Sequence, residues 1–130
     1  MDRYAKGVLY VWTMPENFSD LYALPASVTG AIKDQVMRDF PIRVDGPGQV
    51  ALFAYDNHTC IVESFRATET DVTVSFTGGF TRLKNLRTGD SITGEPEKRS
   101  PERRPEYGAA TTVFRVHLPP HSYAAFAAEN

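Results

Sequence analysis

The pattern of apolar and polar positions changes near residue 41 and divides the chain into two differently patterned stretches. From Gly48 to Phe65 it reads GQVALFAYDNHTCIVESF, two apolar runs joined by Asp56-Asn57-His58. Runs rich in β-branched, aromatic and aliphatic residues, bounded by Gly and Asp-Asn, predict a β-hairpin. Both faces of each run are apolar, so the hairpin is expected to lie centrally, covered on two sides. Further on, Val72, Val74 and Phe76 alternate with Thr73, Ser75 and Thr77, the period of a strand with one wet face. Gly78-Gly79 then predicts a tight turn, with Phe80 to Arg87 as the returning strand and Thr88-Gly89-Asp90 as another turn. Phe114, Val116 and Leu118 alternate with Arg115 and His117, and Pro119-Pro120 separates them from a last strand over Ser122 to Ala128. Short strands at this spacing predict a mainly β fold over 42–130, an immunoglobulin-like antiparallel β-sandwich.

The segment 1–41 has a different rhythm. Val8, Leu9, Tyr10, Val11 and Trp12 form a continuous apolar run, an N-terminal strand. Pro25 suits the first turn of a helix, where its missing N–H would have no partner. Val28, Ile32 and Val36 follow four residues apart, so one α-helix with an apolar stripe is expected, ending by Phe40 before Pro41. A strand, a loop and a helix make half of an α/β unit, incomplete alone, and the segment 1–41 is expected to be the end of an α/β domain. The incompleteness predicts an interface with another chain or domain through Val8, Leu9, Val11, Val28 and Ile32.

Composition narrows the function. At 130 residues with 42% hydrophobic and 12% aromatic content, the chain can bury a real core. A formal charge of -2 gives no electrostatic drive toward nucleic acid or anionic lipid. The stretch EPEKRSPERRPEY within the 95–108 loop has four acidic and four basic residues, so its arginines are neutralised by interleaved glutamates. No run is long and apolar enough to span a membrane, and MDRYAKG is no basic-then-apolar leader, so a soluble, cytoplasmic protein is expected.

Candidate chemistry is sparse. A lone Cys60 allows no internal disulfide and, within an apolar run, reads as a buried, inert thiol. Glu63 shares a strand face with Ile61 and Phe65, but a glycosidase needs a second carboxylate across a cleft, and only Asp56 is near in sequence. His117 and His121 have the spacing of a metal pair, yet Pro119 and Pro120 forbid the helix that would bring them together. Ser64 and Ser122 lack a glycine-flanked elbow, and no glycine-rich phosphate loop precedes a helix. No catalytic residue, metal or cofactor is therefore expected. Trp12, Tyr55, Tyr107 and Tyr123, if exposed together, could stack on sugar rings.

Three stretches carry a resemblance. LFAYDNHTCIVESF, NLRTGDSITG and FRVHLPPHSYAAFAAE resemble the small β-sandwich that closes many multi-domain glycoside hydrolases of the β-galactosidase and amylase kind. The resemblance covers 42–130. The preceding strand and helix look like the closing unit of an α/β domain, such as the amidotransferase-like domain before the sandwich in some β-galactosidases. In such families the catalytic carboxylates lie on a barrel, and no position here matches them. The resemblance implies an accessory domain whose partner is a parent catalytic domain or a second copy.

Overall fold

The computed structural model describes residues 2–4, 7–9, 11, 13, 16–37, 40–97 and 110–130, with the side chains of 2–4, 7–9, 18, 22 and 26 outside that description. Two antiparallel sheets face each other. The four-stranded sheet holds β3 (Ile42–Asp45), β6 (Thr70–Thr77), β10 (Thr111–Leu118) and β9 (Glu95–Pro96), in the order β3-β6-β10-β9. The five-stranded sheet holds β4 (Val50–Ala54), β5 (Thr59–Ser64), β11 (Ser122–Glu129), β7 (Arg82–Asn85) and β8 (Ser91–Thr93), in the order β4-β5-β11-β7-β8. This is the expected antiparallel β-sandwich.

The core is the layer between the sheets. Ile42, Val44, Val72, Val74, Phe76, Phe114, Val116 and Leu118 enter it from one side. Cys60, Val62, Leu83 and Phe126 meet them from the other. Each side follows the period-two alternation of its strands, so one face of each strand is dry. Phe76 and Phe114 make an edge-to-face contact with ring centroids 6.1 Å apart, a geometry that adds about 0.5–1.5 kcal/mol to simple burial. The strand pairing of β6 with β10 runs through Thr77↔Thr111 to Thr70↔Leu118 and forms the longest ladder of the sandwich.

Two expectations are corrected by the topology. The hairpin β4–β5 exists, with Tyr55 N–H donating to Thr59 O (3.0 Å) and His58 at φ 61° closing its three-residue turn. It is not central, because β4 forms an edge of its sheet and Phe53 is 47% exposed. The apolar outer positions of this hairpin face away from the core. Gly78-Gly79 also does not make a hairpin: β6 lies in one sheet and β7 in the other, so the glycines turn the chain across the sandwich. Their φ angles of 134° and 75° are open to glycine, and both N–H groups reach Ala110 O. The first residues of the charged loop, Glu95 and Pro96, extend as the short edge strand β9; 98–109 lie outside the described residues.

In the N-terminal segment, β1 (Asp2–Tyr4) pairs antiparallel with β2 (Gly7–Leu9), a partner the sequence pattern did not reveal. Of the expected strand, Val8 and Leu9 belong to β2, Val11 lies outside it, and Tyr10 and Trp12 lie outside the described residues. A 3-10 turn, Phe18–Ala23, has Asn17 as its cap, with Asn17 Oδ1 accepting from Ser19 N–H (3.2 Å). The helix α1 spans Ala26–Val36, with Pro25 at its N-cap. It ends one turn before the expected Phe40, where Met37 takes a non-helical φ of -104° and bonds back to Lys33 O. Its stripe does not face the sandwich core: Val28 is exposed, Val36 is 80% exposed and Ile32 is half-buried. Lys33 Nζ reaches Val44 O at 3.5 Å, beside the β3 edge. Among the described residues no helix is long and apolar enough to cross a membrane.

Gly94 sits where the chain crosses under β10. A Cβ there would fall on Thr112 Cγ2 and within 2.5 Å of the Phe114 ring. Gly94→Ala is therefore expected to lower stability by about 1–3 kcal/mol through overpacking. Urea unfolding would check it, and an unchanged midpoint would contradict it.

Candidate functional site

The outer faces of the two sheets differ in chemistry. On the four-stranded sheet, Arg43, Asp45, Thr73, Arg115, Asp71 and His117 point outward by alternation, and Arg43 pairs with Glu97 at 3.6 Å. On the β4-β5-β11 part of the five-stranded sheet, Ala51, Phe53, Ile61, Glu63, Tyr123 and Ala125 form the outer face. Toward β7, Arg82, Lys84 and Glu129 continue it as a charged edge, with Lys84 and Glu129 paired at 3.8 Å. The aromatic side chains Phe53, Tyr55, Phe65 and Tyr123 are each about half exposed, from 47% to 57%.

The register fixes their arrangement. Glu63 lies opposite Tyr123 on one side and Ala51 on the other. Ile61 lies opposite Ala125 and Phe53, and the alternation carries on to Tyr55 beyond β4 and to Phe65 beyond β5. Directly opposed and alternate same-strand side chains are near neighbours. Glu63 thus sits beside Tyr123, Ile61 and Phe65, half-buried, in an otherwise apolar band.

Tyr55 and Tyr123, two of the four aromatic residues expected to bind sugar, both lie on this face. They are separated by two strands and four residues of register, roughly 16 Å at about 4.8 Å per strand and about 3.3 Å per residue. Trp12 and Tyr107 fall outside the described residues. Phe53, Phe65 and Glu63 complete the band, and the sequence alone did not single out the two phenylalanines. Knowing that Cys60, Val62 and Ser64 face the core would have placed Phe53 and Phe65 on the opposite, outer face.

Glu63 and Asp56 do not form a glycosidase pair. Asp56 lies at the hairpin tip beyond Thr59, four residues of strand from Glu63. That is roughly 13 Å, against the ~5–9.5 Å that separates paired carboxylates in such enzymes. Two guanidinium groups that could pair with Glu63 are engaged elsewhere: Arg66 Nη1 donates to Gly48 O (3.3 Å), and Arg82 Nη2 to Asn130 O (3.1 Å). Arg66 ties together the loops at one end of the sandwich, since its carbonyl also accepts from His121 N–H at 3.0 Å. His121 is at φ 46° in the turn before β11, whose Ser122 hydroxyl donates to Pro119 O at 2.6 Å.

His117 is held by two carboxylates, Asp71 at 2.8 Å from Nδ1 and Glu69 at 3.4 Å from Nε2. The hydrogen bond to Asp71, with the charges of Asp71 and Glu69, raises its pKa above 6.5. Among the described residues no group of three or more His, Cys, Asp or Glu could hold a metal ion. Cys60 is buried against the core, and loss of solvation pushes its thiol up to about 12.

The site is therefore an exposed aromatic face on a rigid antiparallel sandwich. Residues 41–128 match a family described as "Probable glycosyl hydrolase, C-terminal domain", and the chain belongs to this family. No curated protein and no solved structure matches the chain. By family it is an accessory domain of a glycoside hydrolase-like protein, one that follows the catalytic part and implies a parent catalytic domain.

Two predictions follow the local chemistry. The raised pKa of His117 means that its protonated form adds stability below pH 6.5, which is lost as pH rises through the folded value. An NMR titration is expected to place the His117 pKa above 6.5 and Asp71→Asn to return it toward that value; a wild-type value at or below 6.5 contradicts this. For Cys60, a thiol reagent such as Ellman's is expected to react only after denaturant is added. Rapid reaction in the native protein would contradict its burial.

Proposed function

We propose that the chain is a non-catalytic accessory domain that packs on the catalytic domain of its parent protein, with 1–41 as the end of that neighbour and 42–130 as the sandwich. The observation that supports it most is the apolar surface left open in the N-terminal segment. Val11 is 83% and Val36 80% exposed, and Val28 and Phe40 are exposed beside them in sequence. Burying a side chain of this kind contributes about 1.5–3 kcal/mol. Among the described residues these side chains stay exposed. Val28, Ile32 and Val11 would lie in that interface; Val8 and Leu9 belong to β2, whose side chains lie outside the described residues. Self-association through the same surface is the competing arrangement, and light scattering of the isolated chain separates the two.

A second reading is a carbohydrate-binding module. It draws on Tyr55 and Tyr123, exposed on one face with Phe53 between them, because aromatic rings can stack on the apolar faces of sugars.

The accessory reading has two consequences. In the full-length protein, Val28→Asp with Val36→Asp is expected to lower the melting temperature by several degrees, and in the isolated chain to change it little. Equal effects in both would contradict the packing. Nitrophenyl glycosides are expected to show no turnover with the isolated chain; turnover abolished by Glu63→Gln would contradict the non-catalytic role.

A further inference from the structure

We infer that the aromatic band on the outer face of the five-stranded sheet is the docking face for the parent's catalytic domain, with Glu63 as its polar anchor. This rests on the accessory reading and assigns it a surface.

Three observations lead there. First, the band is concentrated: Phe53, Phe65 and Tyr123 surround Glu63 and Ile61, each aromatic side chain about half exposed, on a floor that includes Ala51 and Ala125. Contiguous apolar surface of this kind marks an interaction site, whereas scattered single residues do not. The four-stranded sheet offers a charged outer face instead, with Arg43–Glu97 and His117–Asp71 pairs satisfied within the chain.

Second, the band is continuous with the segment that leads to the neighbour. Phe40 and Pro41 line a shallow hollow of about 290 Å³ together with Ala54, Tyr55 and Asp56. Phe40 is 49% exposed, and β3 begins one residue after Pro41. Apolar surface therefore runs from Phe40 through Tyr55 and Phe53 to Tyr123. A body attached through so short a tether is held at high effective concentration beside this edge.

Third, Glu63 defines the chemistry of what covers it. An ionised carboxylate under an apolar domain is costly unless it is paired. The docking surface of the catalytic domain is thus apolar and carries an arginine or lysine that meets Glu63. Aromatic anchors around one charge pair have the composition of an interface centre.

The test compares surface labelling in the full-length protein and in the isolated chain. Carbodiimide labelling of Glu63 and tetranitromethane nitration of Tyr123 are expected to slow at least about tenfold in the full-length protein, because an interface core excludes reagent and water. Labelling of Asp71 is expected to be the same in both. Glu63→Lys, on an outer face, is expected to restore nitration of Tyr123 in the full-length protein while leaving the circular dichroism of the isolated chain unchanged. Equal labelling of Glu63 and Tyr123 in the two proteins overturns the assignment. If protection falls instead only on the N-terminal segment or the four-stranded sheet, the accessory reading stands and this face is wrong. If no residue of the chain is protected, both fail. Protection in the isolated chain by added cello-oligosaccharide or galactan, without protection in the full-length protein alone, overturns docking in favour of sugar binding. Protection of the isolated chain that grows with its own concentration overturns it in favour of a second copy.

Discussion

The pairing of β6 with β10 and the apolar layer it presents constrain the rest of the structure. Eight consecutive pairs fix the register between Thr70–Thr77 and Thr111–Leu118. A slip of β10 by one residue against β6 would turn Phe114, Val116 and Leu118 outward and bring Arg115 and His117 in. Burying Arg115 without a partner would cost several kcal/mol, so one register is strongly preferred. The second sheet then packs Val62, Cys60, Leu83 and Phe126 onto this layer, and the chain passes repeatedly between sheets to do so. Gly94 and the Gly78-Gly79 pair lie where those passages bring the chain close to a neighbour or turn it sharply.

A rigid sandwich of this kind leaves its ionisable groups spread over two outer faces and the loop ends. His117 meets Asp71 and Glu69 at the surface, Arg66 donates to the Gly48 carbonyl, and Glu63 sits among aromatic side chains on the opposite sheet. Arg66 joins two loops, and the His117–Asp71 pair links β10 to β6. The apolar band and the open side chains of the N-terminal segment are the features left without a role inside the chain. Both suit contact with a larger body, and membership of the glycosyl hydrolase C-terminal family supplies one.

Much of the fold was legible in the sequence because period two is a strong signal where one face is dry. Val72-Val74-Phe76 and Phe114-Val116-Leu118 were placed correctly, as was the last strand, and the resemblance pointed to the family. What alternation cannot reveal is which sheet a strand joins. The run Val50–Tyr55 is apolar on both faces, which local pattern alone reads as central; it lies at an edge, and its outward aromatics are surface. Gly78-Gly79 has the composition of a hairpin turn, yet the strand after it pairs with β11 rather than β6. Strand pairing is a long-range choice that local residues do not encode. The stripe on α1 was visible, but Val28 and Val36 stay exposed and do not join the sandwich core. Of the four aromatic residues expected to meet sugar, Tyr55 and Tyr123 share a face, which only the register reveals.

The central claim is that this domain supports a catalytic neighbour by packing on it. Differential scanning calorimetry of the full-length protein tests it most directly. A packed accessory domain is expected to unfold together with the catalytic domain in one cooperative transition above the melting temperature of the isolated chain. Two separate transitions, the lower at the temperature found for the isolated chain, would contradict it.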